Sequence, residues 1–219
     1  MGIFYTPIEL VVNMLMLLIA GFFLLTEIKQ VPWKKWQAPT AFSAWCASII
    51  VLTLLWRMHV RVQPDLSLHL LGVAMFALMF GRALTCIGAA MSVVVYTAEF
   101  DGLWINLGTN IVVLAVIPAV LSDVILKKTE RYLPSHMFVY LFGNGFFGAF
   151  AVNAATGLCA LFVHSLLLPR FAITNDAYAY MLLLAWGEAF LTGFLITIFV
   201  VYKPAWVFTF DDQRYLRGK

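Results

Sequence analysis

Long apolar runs separate the few charged residues of this chain, and that spacing restricts its fold more than any motif does. Runs such as Ile8–Thr26 and Met181–Val201 match the roughly 20 residues that a helix needs to cross a hydrocarbon core about 30 Å thick. A helix also satisfies its own backbone hydrogen bonds, which lipid cannot do for it. A transmembrane barrel would show alternating segments of about 10 residues instead. Of the 219 residues, 63% are hydrophobic and 11% are charged, whereas soluble domains carry roughly 25% charged residues. There is too little charge to solvate a globular surface of this size. The expectation is an all-α integral membrane protein, a polytopic bundle of about seven transmembrane helices, forming a single domain over residues 1–219.

The spans are read as Ile8–Thr26, Ala41–Trp56, Leu66–Phe80, Ala83–Ala98, Leu103–Leu126, a helix within His136–Leu168, and Tyr180–Tyr202. Pro118 predicts a kink in the fifth. The third and fourth are short for full spans. His136–Leu168 exceeds one span, so part of it is expected to tilt or lie at the interface. Arg57 through Asp65 reads as a polar loop, and Lys203–Lys219 as a cytoplasmic tail in water. With the N-terminus outside, all but Arg57, Arg61 and Arg170 of the 14 basic residues fall on the cytoplasmic side, as the positive-inside rule requires. Met1–Pro7 holds no Lys or Arg, so the first run is expected to be a retained helix rather than a cleaved signal. The location implied is the inner (cytoplasmic) membrane, with multiple passes.

A formal net charge of +3 without a basic, aromatic-interleaved run gives no footprint for nucleic acid. Cys46, Cys86 and Cys159 lie far apart in apolar runs, as small buried hydrophobes do. They suggest neither a disulfide framework nor a zinc site. No Gly-x-x-x-x-Gly-Lys, Gly-x-Ser-x-Gly or His-Glu-x-x-His motif is present, so a pump built on this chain needs ATP hydrolysis on another chain.

Polar chemistry converges on the outer side. The Met1 amine, His59, Asp65, His69, Glu99 and Asp101 all fall there in this topology. His69 sits in an apolar neighbourhood, where imidazole needs a hydrogen-bond partner or a metal. A backbone-bonded interface histidine and a metal ligand are both open readings of it. His59, ten residues earlier, reads as a solvated loop residue or a second nitrogen donor. His136 lies near the inner face, and His164 near the outer end of the sixth helix. Asp65 fits an N-cap. Glu188 is an ionisable group inside an apolar span, costly unless paired or protonated. It reads as an interhelical clamp, with Asn110 or Asn144 as candidate partners, or as a proton carrier or cation ligand. Asn106, Asn110, Asn144 and Asn153 suit interhelical hydrogen bonding.

The stretch Leu66–Leu126 resembles the CbiM-like permeases of cobalt and nickel energy-coupling-factor transporters. The resemblance rests on Ser67-Leu68-His69-Leu70-Leu71-Gly72, Phe100-Asp101-Gly102 and Asn106-Leu107-Gly108-Thr109-Asn110-Ile111. Glu188-Ala189-Phe190-Leu191-Thr192-Gly193 and Lys203-Pro204 follow in the family's order. The resemblance implies a substrate-capturing membrane subunit that holds a metal in a near-planar nitrogen site. Its ligands would be the Met1 amine, the backbone nitrogen of Gly2 and His69. The family carries histidine at the second position, whereas this chain has Gly2, so one imidazole is missing; His59 is the candidate replacement.

The leading expectation is a permease for uptake of a divalent transition-metal ion, cobalt or nickel by resemblance. It would be a transport subunit and not an enzyme, with no resident cofactor and the metal as substrate. Its partners would be the bilayer, a transmembrane coupling subunit and cytoplasmic ATPases. A permease of the same architecture for a small organic nutrient, with Trp104 and Trp186 lining its pocket, and a non-transporting membrane scaffold are the rival readings.

Overall fold

The computed structural model describes residues 3–63, 66–100, 102–168 and 173–215. In chain order the elements are α1 (Leu10–Ile28), a short α2 (Trp33–Trp36), α3 (Pro39–Arg57), a hairpin of β1 (His59–Gln63) and β2 (Leu66–His69), and α4 (Val73–Glu99). Then follow α5 (Trp104–Tyr132), α6 (Val139–Leu167), α7 (Asn175–Tyr202) and a final turn, α8 (Asp212–Tyr215). Among the described residues, six of these helices are long and apolar enough to cross a membrane: α1, α3, α4, α5, α6 and α7. Burial is inverted relative to a soluble protein. Leu18, Phe22 and Leu183 are each about two-thirds exposed or more, while Asn13, Asn106, Asn110, Asn144 and Asn153 are buried. With lipid as the solvent, apolar side chains face outward and polar ones bond between helices.

The expected third span, Leu66–Phe80, is not a single helix. The segment read as a polar loop alternates Val60 and Val62 with Arg61 and forms β1, which pairs antiparallel with Leu66–His69. Helix begins only at Val73, because Gly72 before it adopts a left-handed conformation, φ 71°. The helical path is broken again at Gly81, with φ 78° and ψ 174°, a backbone state that side-chain-bearing residues avoid. The piece Val73–Phe80 is thus about 12 Å long, too short to cross. It folds back along the second piece of α4: the tip of the Phe76 ring lies 2.6 Å from where a Cβ on Gly88 would be. The expected third and fourth spans therefore form one broken, doubled-back element, which is why six long helices stand where about seven were expected.

The break exposes the carbonyls of Leu78 and Met79, and the C-terminal segment answers them. Phe208 N–H donates to Met79 O at 2.6 Å, and the Thr209 hydroxyl donates to Leu78 O. Tyr140 hydrogen-bonds Thr209 at 2.7 Å, and Val207, Phe210 and Tyr215 are buried. The described part of the tail is therefore docked on the bundle rather than free in water, since unpaired backbone carbonyls at this depth demand donors. Beside the break, Arg82 binds Glu27 at 2.9 Å, Asp123 at 3.1 Å and Gln30 at 2.8 Å, tying α1, α4 and α5 together at one end.

Two local features set the remaining geometry. The kink expected at Pro118 is preceded by a π-helical stretch, Val112–Val116. Proline has no N–H for the carbonyl four residues back, and a widened turn relieves the clash. The stretch His136–Leu168 holds one continuous helix, whose first turns, Val139–Gly148, are also π-helical. Gly108 lets α5 lie directly on α1: a Cβ there would sit 2.5 Å from Leu17 N and 2.6 Å from Asn13 O. Those are backbone atoms that cannot rotate away. Gly108→Ala is expected to force the helices apart and lower stability by about 1–3 kcal/mol, read as a lower unfolding temperature in detergent. An unchanged midpoint would show that this contact is not rigid.

Candidate metal-capture site

The hairpin brings together two histidines that lie ten residues apart in sequence. His59 and His69 are direct cross-strand partners, and side chains of such pairs leave the same face of the sheet about 5 Å apart. His69 is 1% exposed and packs 5.6 Å from the Trp56 ring. Its Nδ1 lies 2.8 Å from Leu70 O. A backbone carbonyl there makes Nδ1 the protonated nitrogen and leaves the lone pair on Nε2, the tautomer that metal-ligating histidines use. Burial lowers the His69 pKa well below its ordinary value, which favours the neutral ring. His59 is half-buried, packs against the Tyr5 ring at 5.8 Å with the planes tilted by 40°, and has its Nδ1 buried with no hydrogen-bond partner among the described residues.

The N-terminal segment is threaded into the bundle beside this pair. Asn106 accepts from Ile8 N at 2.9 Å and donates to Phe4 O at 2.9 Å and Thr6 O at 2.8 Å. Asn110 accepts from Phe4 N at 3.1 Å. These two amides, one turn apart on α5, hold an extended strand as a sheet neighbour would. Ile3, Phe4 and Ile8 are buried, and Tyr5 hydrogen-bonds Tyr96 through the two phenol oxygens. The family-type segment Asn106–Ile111 thus serves to place the start of the chain, a role its residue types alone did not reveal. The i, i+4 spacing of Asn106 and Asn110 on one helix face was the available signal.

Glu188 meets backbone N–H groups and not the amides of Asn110 or Asn144. It is 2% exposed, and its two oxygens accept from the backbone N–H groups of Leu71 and Gly72, the latter at 2.8 Å. Asn110 is instead engaged with Phe4, and Asn144 makes no hydrogen bond to it. The carboxylate caps the start of the Val73–Phe80 helical piece, where unpaired N–H groups and the helix dipole favour negative charge. Trp56 completes the turn by donating to Leu71 O at 2.9 Å. The segment from His69 to Gly72 is therefore fixed from two sides, by α7 and by α3.

Met1, Gly2, Asp65 and Asp101 lie outside the described residues. Glu99 is exposed, His136 stacks on Phe138 away from the hairpin, and His164 is buried in α6. Among the described residues no three His, Cys, Asp or Glu side chains converge on a common point. A metal at this hairpin would need backbone or terminal nitrogens in addition to the two imidazoles.

The profile of the protein family described as CbiM, cobalt uptake substrate-specific transmembrane region, matches residues 3–206. A crystal structure of a transition metal transporter superposes with a TM-score of 0.70 at 16% identity, covering 92% of this chain and 93% of that one. A truncated transition metal transporter superposes with a TM-score of 0.69 at 17% identity, covering 92% and 98%. At these identities the likeness is one of fold. No protein of curated function matches the sequence.

Proposed function

Because the chain belongs to the CbiM family of cobalt-uptake substrate-specific transmembrane regions, we propose that it is the metal-capturing permease of an energy-coupling-factor type uptake system, taking a cobalt or nickel ion at the hairpin. The observation that carries this reading is the cross-strand pairing of His59 with His69, which supplies a second imidazole where Gly2 lacks one. The donors proposed are His69 Nε2, His59, the Met1 amine and the Gly2 backbone nitrogen. Tyr5 lies against His59, and Gly2 and Met1 are three and four residues before it, within a chain reach of about 14 Å. Four nitrogen donors in one plane suit nickel and its neighbours in the first row.

The proposed orientation places the N-terminus and hairpin outside and the Arg82 end inside, in a bacterial-type inner membrane. In that orientation β2, Leu70–Gly72 and the short piece Val73–Phe80 together bring the chain from the outer to the inner side, which with the six long helices gives an odd number of crossings. A coupling subunit and cytoplasmic ATPases would supply the energy, since the chain carries no nucleotide motif. The test is titration of purified protein, with a native unblocked N-terminus, against nickel, cobalt, copper and zinc, alongside a panel of organic nutrients. One tightly bound nickel or cobalt per chain is the expected result. Binding of an organic nutrient in place of any metal would overturn the reading.

A further inference from the structure

The last turn of α4 reaches the capture hairpin at two points, and one of them runs through a pair of phenols. Tyr96 is 1% exposed and its hydroxyl hydrogen-bonds that of Tyr5, while the Tyr5 ring packs 5.8 Å from the His59 ring. One turn later Phe100 lies 5.5 Å from the Tyr96 ring, and the Arg57 guanidinium stands 5.4 Å over the Phe100 ring, within range of a cation–π contact. Arg57 precedes His59 by two residues, so this second contact falls at the base of β1. After Phe100 the chain folds straight back: a Cβ on Gly102 would sit 2.7 Å from Thr97 Cα. Phe100 and Gly102, which stand out in the sequence without a role of their own, thus close α4 beside the hairpin.

The N-terminal strand is held in two independent ways. Asn106 and Asn110 hold its backbone, through Phe4 N–H, Phe4 O, Thr6 O and Ile8 N–H. None of those bonds sets the direction of the Tyr5 side chain, which is tied at its tip by the Tyr96 hydroxyl. The two imidazoles differ in a matching way. His69 is buried, with Leu70 O on its Nδ1 and the Trp56 ring against it. His59 is half-buried, and among the described residues the ring it rests on is Tyr5. Its orientation therefore depends on a wall that stands only while the phenols are joined.

We propose that Tyr96 and Tyr5 are positioning residues for metal capture: their hydroxyl contact fixes the Tyr5 ring as the wall that keeps the His59 imidazole turned toward its cross-strand partner His69. This rests on the metal-uptake reading. Neither phenol is a ligand in this arrangement. A donor ring holds its geometry only where its neighbours restrict it, and a ring that is correctly turned for a fraction of the time lowers the apparent affinity by that fraction.

The test is nickel titration of purified protein with a native N-terminus. Tyr96→Phe and Tyr5→Phe are each expected to weaken nickel binding about tenfold. The double variant is expected to lose no more than either, because each change breaks the same contact. In a His59→Ala background Tyr96→Phe is expected to have no added effect, a result that general loosening of the fold would not give. Wild-type affinity in both single variants, or the same loss repeated without His59, would overturn the proposal. In metal-free protein, the His59 ring signal in a proton–carbon correlation spectrum, identified by its loss in His59→Ala, is expected to shift in both single variants as the neighbouring ring moves. A signal that stays in place would overturn the hold on His59 whether or not metal binds. A wild-type protein that binds no nickel yet shows that shift would overturn the capture reading and leave the hold on His59 standing.

Discussion

His69→Ala is expected to abolish stoichiometric nickel or cobalt binding, lowering affinity by well over the 10- to 100-fold that follows loss of a merely supporting residue. The prediction follows from the burial of the ring and the engagement of its Nδ1 with Leu70 O, with burial favouring the neutral form. His59→Ala should weaken binding less, because that ring is half-buried and can move. A stitch in the hairpin is the alternative role for His69. The two separate cleanly by experiment, since a stitch would lower the unfolding temperature of the metal-free protein and leave the residual affinity near wild type. Isothermal titration and metal-free melting on the same samples distinguish them.

The second large effect is expected at Glu188. Glu188→Leu removes both acceptors for the Leu71 and Gly72 N–H groups. Two buried donors left unpaired cost about 2–6 kcal/mol together, and the loss falls at the turn that carries His69. The variant should melt at lower temperature and bind metal more weakly, both by large margins. Glu188→Gln keeps one acceptor and turns an amide NH2 toward the other donor, so it should fall between wild type and Glu188→Leu in melting temperature. A Glu188→Gln protein with wild-type stability and lost metal binding would move Glu188 from anchor to ligand.

Much of this was legible before any fold was known, and the reasons differ by residue. Spans were legible because lipid demands long apolar helices, and α1, α3, α5 and α7 lie close to their expected bounds. Glu188 announced itself as a lone ionisable group in an apolar run. Its partners did not, because they are backbone N–H groups, which every residue but proline carries. His59 and His69 were singled out as nitrogen donors, yet their pairing depended on a hairpin whose strands of four and five residues are too short for alternation to be distinctive. The docked tail was read as a solvated segment because its polar composition is visible and its acceptors are not: Leu78 O and Met79 O become available only when the helix breaks at Gly81.

Sequence by itself determined the class of solvent, the helical architecture, the family and the histidines worth testing, because these follow from residue type and spacing along the chain. Tertiary structure alone decided which groups meet: His59 beside His69, Glu188 under Gly72, and Asn106 and Asn110 around the chain start. The physical reason is that backbone breaks at Gly72 and Gly81 redirect the chain within the membrane. A redirected backbone both creates unpaired donors and acceptors and brings distant side chains to answer them.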